Sequence, residues 1–150
     1  LLVAVAGLCL CATAQVCAQS ADALTGMIEA PAVRVSQASY FMSTYAQLIP
    51  DSATEEEALY FAVDSGLVTR MPASSDAPIT LGQLAGMCMR SFNIKGGIMF
   101  TLTKSDHYAF RELQAKGIIA NNADPGQVIS GLTALTIITD CINISKGGEV

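Results

Sequence analysis

The amino-acid sequence predicts an all-α protein, a helical bundle of about 2.5 to 3 helix–loop–helix pseudo-repeats. Three observations indicate this fold class. Apolar residues recur at helical spacing in several segments. These segments start at capping residues and end near glycines, and related segments return at offsets of 44 and 50 residues. A unit of about 50 residues is too small to hold a hydrophobic core alone, so neighbouring units are expected to bury one another's apolar faces.

The chain opens with an apolar segment, residues 1–14, that carries no charge. As a helix it would reach about 21 Å, short of the ~30 Å hydrocarbon core of a bilayer. Val16-Cys17-Ala18 follows with the small-x-small pattern of a signal-peptidase site. Residues 1–18 are therefore predicted to be an N-terminally incomplete signal peptide, and residues 19–32 a linker. A membrane anchor, a buried first helix and a lipid-modified cysteine are the competing interpretations of the apolar segment.

Two helices are predicted next. Residues 35–45 form the first, with Ser36 as its N-cap. Thr54 and Glu57 make a capping box for the second, because the threonine hydroxyl and the glutamate three residues later satisfy each other's backbone amides. This second helix is expected to end at Gly66, since glycine readily adopts the left-handed conformation that closes a helix.

The third predicted helix, residues 79–92, has apolar residues on one face. Thr80 and Gln83 make its capping box. The glycine pair at positions 96 and 97 is expected to stop it. The apolar segment 98–102 that follows is expected to be tucked against the bundle.

The last two helices repeat this arrangement. Asp106 is predicted to cap one of them and Gly117 to end it, and Ser130 is predicted to cap the other. The helical domain is therefore placed over residues 33–145, and residues 146–150 are taken as a tail.

Composition narrows the function classes. Eight basic residues against thirteen acidic ones give a net charge of −5, which argues against a nucleic-acid partner, because such binding needs a basic face. His107 is the only histidine and has no nucleophile at motif spacing, so no catalytic site, cofactor or metal is predicted.

Beyond the signal peptide, Cys88 and Cys141 are the only cysteines. Both a single disulfide between them and two buried free thiols remain open.

The pseudo-repeat resembles the S-layer homology (SLH) module of bacterial cell-envelope proteins. The resemblance is carried by DHYA at residues 106–109, by KGII at 116–119 and by Ile129-Ser130. Residues 58–68 with 79–92 match a second copy, and residues 35–45 match the second helix of a first copy. The resemblance implies a three-lobed, all-α bundle that holds its protein to an anionic cell-wall polymer.

The family's binding motif, I-T-R-A-E, is altered in this chain. The positions that match its arginine are Gln37, Leu81 and Gly131, and none of them is basic. The architecture is expected to be kept while the ligand has changed.

Three residues are candidate ligand contacts: Arg70, in the loop after the first helix-ending glycine, and His107 with Tyr108 at a helix start. The hypothesis is an exported, non-catalytic module that docks to a cell-wall or envelope glycan at the periplasm or surface of a bacterium. The alternative is a protein–protein interaction or assembly module that has lost glycan binding. In either case the chain is not expected to be an integral membrane protein once the signal peptide is removed.

Overall fold

The computed structural model describes residues 21–147, and within them the chain forms seven α-helices and no strand. The all-α class is therefore confirmed. The predicted signal peptide, residues 1–18, lies outside the described residues. The helices are α1 (residues 21–29), α2 (Val35–Tyr45), α3 (Glu55–Asp64), α4 (Leu81–Ser91), α5 (Ile98–Thr103), α6 (Asp106–Ala115) and α7 (Gly131–Ser145).

Helix α4 is the centre of the packing. Eight of its 11 residues are buried. It contacts α6 most extensively, and also α2 and α7, while α2 packs on α3 and α5 on α6. One hydrophobic core results, to which Met27 of α1, Leu113 of α6 and Ile138 of α7 all contribute. Since dispersion and burial act across helices that are distant in sequence, this core holds the described helices together.

The backbone segments that lead into α2, α4 and α7 meet inside the molecule. Val33, Ile79 and Ile129 are the buried residues at this meeting point, which we call the central junction. The amide of Ile79 donates to the carbonyl of Val33 at 2.8 Å, and the amide of Val33 donates to the carbonyl of Ile129 at 3.0 Å. These bonds satisfy buried backbone groups that would otherwise be unpaired, and they bring three helix starts side by side.

Several predicted helix ends are confirmed. The amide of Glu57 donates to the Thr54 hydroxyl at 3.2 Å, and the amide of Thr54 donates to the Glu57 carboxylate at 2.8 Å. Thr80 makes the same box with its predicted partner, and Ser130 accepts from the backbone of α7 as expected. Gly66 and Gly117 have φ angles of 75° and 78°, the left-handed conformation that ends a helix.

Two predicted caps are wrong. Helix α2 begins at Val35 with Arg34 as its N-cap, because the segment before it pairs in the central junction and sets its start. Ser36 is instead buried in the first turn and donates to the Glu55 carboxylate at 3.1 Å. Helix α6 begins at Asp106, so the N-cap position falls on the residue before it. The Asp106 carboxylate is thereby released for tertiary contacts.

The predicted stop of the central helix is also wrong. Helix α4 ends at Ser91, and Asn93 takes the left-handed conformation with a φ of 48°. Gly97 is instead the N-cap of α5. The segment expected to be tucked against the bundle buries Phe100 alone among its larger side chains and leaves the others exposed. Because a single buried ring anchors a six-residue helix, its remaining face projects outward.

The linker predicted over residues 19–32 is a helix over most of its described part. Met27 of α1 is fully buried, and the amide of Gly131 donates to the carbonyl of Ala30 at 2.9 Å. A side chain at Gly131 would overlap the backbone carbonyl of Met27. Glycine at the start of α7 is what allows α1 to pack there. None of the helices in the described part of the chain has the length and apolar character that crossing a bilayer requires.

Candidate functional site

The starts of α2, α4 and α7 define three comparable places on the molecule. Their first residues are Val35, Leu81 and Gly131. At α2 this register differs by two residues from the predicted one, which matched Gln37 to the arginine of the binding motif. At α4 and α7 it agrees with the predicted positions. Gln37 is buried, and its side-chain oxygen accepts from the amide of Arg34 at 3.1 Å, so it belongs to the cap of α2. No basic residue stands at the motif position in either register.

Grooves lie at two of these helix starts. One groove lies between the first residue of α2 and the body of α4, and the other lies between the first residue of α4 and the body of α7. Each is also bounded by the loop that follows a left-handed glycine. The first, which we call the polar groove, is lined chiefly by Val35, Thr69, Arg70, Pro72, Gln83, Arg90 and Asp106. The second, which we call the apolar groove, is lined chiefly by Leu81, Ile119, Ile129, Leu132, Thr133 and Ile137. The third helix start is covered by α1.

An ion pair forms the inner wall of the polar groove. Arg90 Nη2 lies 2.8 Å from Asp106 Oδ1, and the Thr69 hydroxyl donates to the other carboxylate oxygen at 3.2 Å. The Arg90 guanidinium also donates to the carbonyls of Leu67 and Lys104 at 2.7 to 3.0 Å. All three guanidinium nitrogens of Arg90 therefore donate hydrogen bonds. Two of these bonds hold the backbone of Leu67, at the start of the loop that lines the groove.

Arg70 is the remaining cation of the polar groove. Its side chain is exposed, and within residues 21–147 it makes no ion pair. Because Arg90 and Asp106 neutralise each other, the groove carries a net positive charge at Arg70. Its enclosed volume is only about 20 Å³, comparable to one water molecule, so a ligand would lie along the lip of the groove.

The apolar groove is wider and has a different chemistry. Its volume is about 410 Å³. Leu132 is exposed on its rim, and Ile129 and Ile137 form buried parts of its wall. Since it contains no charged side chain, this groove suits an apolar surface of a partner.

The other two candidate contacts lie away from the polar groove. His107 is exposed in the first turn of α6, beside a shallow hollow that Arg111 and Asn121 also line. Tyr108 is half-buried and packs against the core, with its ring centroid 5.2 Å from that of His107. The structure therefore places Arg70 in the polar groove and His107 on a different part of the surface.

Sequence reasoning missed the roles of Arg90 and Asp106. One is near the end of α4 and the other is the first residue of α6, so no local spacing connects them. The only available signal is that an aspartate at a helix start is free to bond elsewhere when a different residue is the N-cap.

The two cysteines are buried free thiols in adjacent helices. Burial raises the pKa of the Cys88 thiol well above its usual range, and a hydrogen bond with Cys141 adds to this effect. A thiol in this state is a poor nucleophile.

In the described part of the chain, no group of three His, Cys, Asp or Glu residues could hold a metal ion. The lining of the polar groove includes the Arg70 guanidinium, the Thr69 hydroxyl and the Gln83 amide, which are groups that can form hydrogen bonds.

Comparison of the chain with family models, with curated proteins and with solved structures found no match.

Proposed function

We propose that this chain is an exported, non-catalytic cell-envelope module of the SLH kind, which docks to a cell-wall or envelope glycan at the periplasm or surface of a bacterium. The central junction is the observation that carries the proposal. Val33, Ile79 and Ile129 recur at separations of 46 and 50 residues and each leads into a helix, as expected for three pseudo-repeats that share one centre. Grooves at the boundaries between such units are natural places for a polymer to bind.

The polar groove supplies the contacts for such a ligand. Arg70 offers a planar guanidinium, which suits carboxylate and phosphate groups of an anionic polymer. The side-chain oxygen of Gln83 accepts from the amide of Thr80 at 2.9 Å, so its amide nitrogen is left to donate to a sugar hydroxyl. The Thr69 hydroxyl is held in place by Asp106. We place the main ligand contact at Arg70.

The direct test is co-sedimentation of residues 19–150 with purified cell-wall polymer over a range of salt concentrations. We expect salt-sensitive pelleting, and about fivefold or greater weakening for Arg70→Ala, because a charge-assisted hydrogen bond is lost. Arg111→Ala is the matched control, since it removes the same charge from an exposed arginine in the hollow beside His107.

Two results would contradict the polar groove as the site. Absence of pelleting at low salt would argue against glycan docking altogether. Loss of binding in Arg111→Ala with full binding in Arg70→Ala would move the site to the hollow beside His107.

The alternative function, protein–protein interaction or assembly, is favoured by the apolar groove. An open apolar groove of about 410 Å³ is a typical docking place for an apolar side chain of a partner. Self-assembly through this groove would show as a concentration-dependent sedimentation coefficient that Leu132→Asp abolishes. Tyr60→Asp, at an exposed aromatic residue of α3, is the control that should leave the sedimentation coefficient unchanged.

A further inference from the structure

Helix α5 presents an apolar surface to solvent. Ile98 is 84% exposed and Leu102 80%, and Met99 lies beside them, also exposed. We call these three side chains the α5 tip. Apolar side chains as exposed as these contribute nothing to the core, and their clustering on one short helix indicates a contact surface.

The α5 tip is held outward by the contacts beneath it. Phe100 is buried and anchors the helix to the core. The amide of Gly97, just before the helix, donates to a carboxylate oxygen of Glu112 at 2.8 Å. After the helix, the carbonyl of Lys104 accepts from Arg90 at 2.7 Å. Because both ends are tied to the bundle, the tip is a preformed projection.

Residues 90–116, which contain the α5 tip, carry a net charge opposite in sign to that of the whole protein. Five of the eight Lys and Arg residues lie between residues 90 and 116, against two of the thirteen Asp and Glu residues, although the chain carries −5. Lys95 precedes α5 and Lys104 ends it, and both are exposed. The Lys104 ammonium lies 5.0 Å from the centroid of the Phe100 ring, so its charge stays close to the helix.

The two acidic residues of this segment offset only part of its positive charge. Asp106 is paired with Arg90, and the Glu112 carboxylate accepts from the backbone of Gly97. The Glu112 carboxylate keeps its negative charge, because a backbone amide is neutral, and five cations against two anions leave residues 90–116 with a net charge of +3. Two exposed lysines flank the apolar projection.

We propose that the α5 tip is a membrane-interface anchor, which inserts its apolar side chains among the headgroups of an anionic lipid bilayer while Lys95 and Lys104 contact the phosphates. The combination of apolar side chains with flanking lysines matches such an interface in both hydrophobicity and charge. A helix of six residues is about 9 Å long, which suits a seat in the headgroup layer. This surface is separate from glycan docking in the polar groove, and either activity can fail without the other.

The absence of tryptophan from the sequence allows a local test in the full chain. Met99→Trp places a single fluorophore at the α5 tip, and Tyr60→Trp places one on α3 as the control. We expect vesicles of phosphatidylcholine mixed with phosphatidylglycerol to shift the emission of Met99→Trp to the blue and to leave Tyr60→Trp unchanged. Replacing Lys95 and Lys104 by glutamine in the Met99→Trp chain should weaken vesicle binding about 25-fold, about fivefold for each charge.

Three outcomes would overturn the proposal. The first is an unchanged emission of Met99→Trp with the anionic vesicles. The second is an equal shift with phosphatidylcholine alone, which would show that the lysines do not select anionic lipid. The third is a concentration-dependent shift without vesicles, which would assign the surface to a second copy of the chain.

Discussion

Arg90 connects three parts of the fold that are distant in sequence. Its guanidinium donates twice to the carbonyl of Leu67, once to the carbonyl of Lys104 and once to the carboxylate of Asp106. Only 10% of its side chain is exposed, against 25% for Asp106. Arg90→Met keeps most of the volume of the stem and removes every donor. We expect this substitution to destabilise the protein strongly.

The magnitude follows from what the substitution leaves behind. Two carbonyls lose their side-chain donor, and the Asp106 carboxylate keeps only the hydrogen bond from the Thr69 hydroxyl. Removing one member of a buried ion pair costs about 3 to 5 kcal/mol. Since the carboxylate is a quarter exposed, water recovers part of this loss, and we expect a decrease of about 3 kcal/mol in the free energy of unfolding. Against a total of about 5 to 15 kcal/mol for a domain of ordinary stability, such a change is large.

Urea unfolding measures this change, and Arg34→Met is the matched control. Arg34 also pairs with two carboxylates, those of Glu55 and Asp76, but its side chain is 38% exposed and that of Asp76 is 74% exposed. Exposed ion pairs contribute about 0 to 1 kcal/mol, so Arg34→Met should lower the unfolding free energy by no more than that. The dependence on urea concentration should stay the same in both variants, because neither changes the surface exposed on unfolding.

Equal destabilisation by the two variants would refute the reasoning, since it rests on the difference in burial. A double-mutant cycle with Asp106→Asn gives a second criterion. We expect a coupling free energy above about 1 kcal/mol between positions 90 and 106. A value near zero would show that the backbone carbonyls alone explain the role of Arg90.

Three further predictions concern other parts of the molecule. Gly131→Ala should force α1 away from the start of α7 and lower stability by about 1 to 3 kcal/mol, with faster protease cleavage of α1; unchanged cleavage would contradict this packing. Cys88 and Cys141 should resist alkylation in the folded protein and react in urea, because burial raises the pKa of the Cys88 thiol; rapid labelling without urea would contradict it. Hydrogen bonds from the amide and then the hydroxyl of Thr54 lower the pKa of Glu57. The contribution of the ionised Glu57 to the stability of the fold is therefore complete above the ordinary glutamate pKa and is lost as the pH falls through the lowered pKa. Glu57→Gln should flatten this part of the curve of unfolding free energy against pH.

Helix ends show where local chemistry suffices for prediction. The capping box of Thr54 and Glu57 and the left-handed Gly66 were predicted correctly, because all the atoms involved lie within a few residues of one another. Ser36 was predicted as a cap on the same grounds, yet the start of α2 is set by its pairing with a segment more than forty residues away. A local pattern cannot contain that interaction.

The candidate site likewise has features that the sequence predicts and features that depend on tertiary packing. Exposure of Arg70 could be expected from its place in a polar loop. Whether it faces a polar or an apolar groove depends on which side chains the neighbouring helices bring to it, and Arg90 and Asp106 are joined only by the packing of α4 on α6. The exposed face of α5 likewise arises because the core accepts Phe100 and has no place for its neighbours.

The sequence by itself determined the all-α class, the existence of helices α2, α3, α4, α6 and α7, and the net negative charge of the chain. Periodicity, capping and charge are properties of neighbouring residues or of composition. The tertiary structure decided the rest. It turned residues 21–29 into a packed helix, joined Val33, Ile79 and Ile129 in one junction, and left one groove polar, one apolar and one helix start covered. The physical reason is that these features depend on backbone hydrogen bonds and burial between segments dozens of residues apart, and such contacts exist only once the chain is folded.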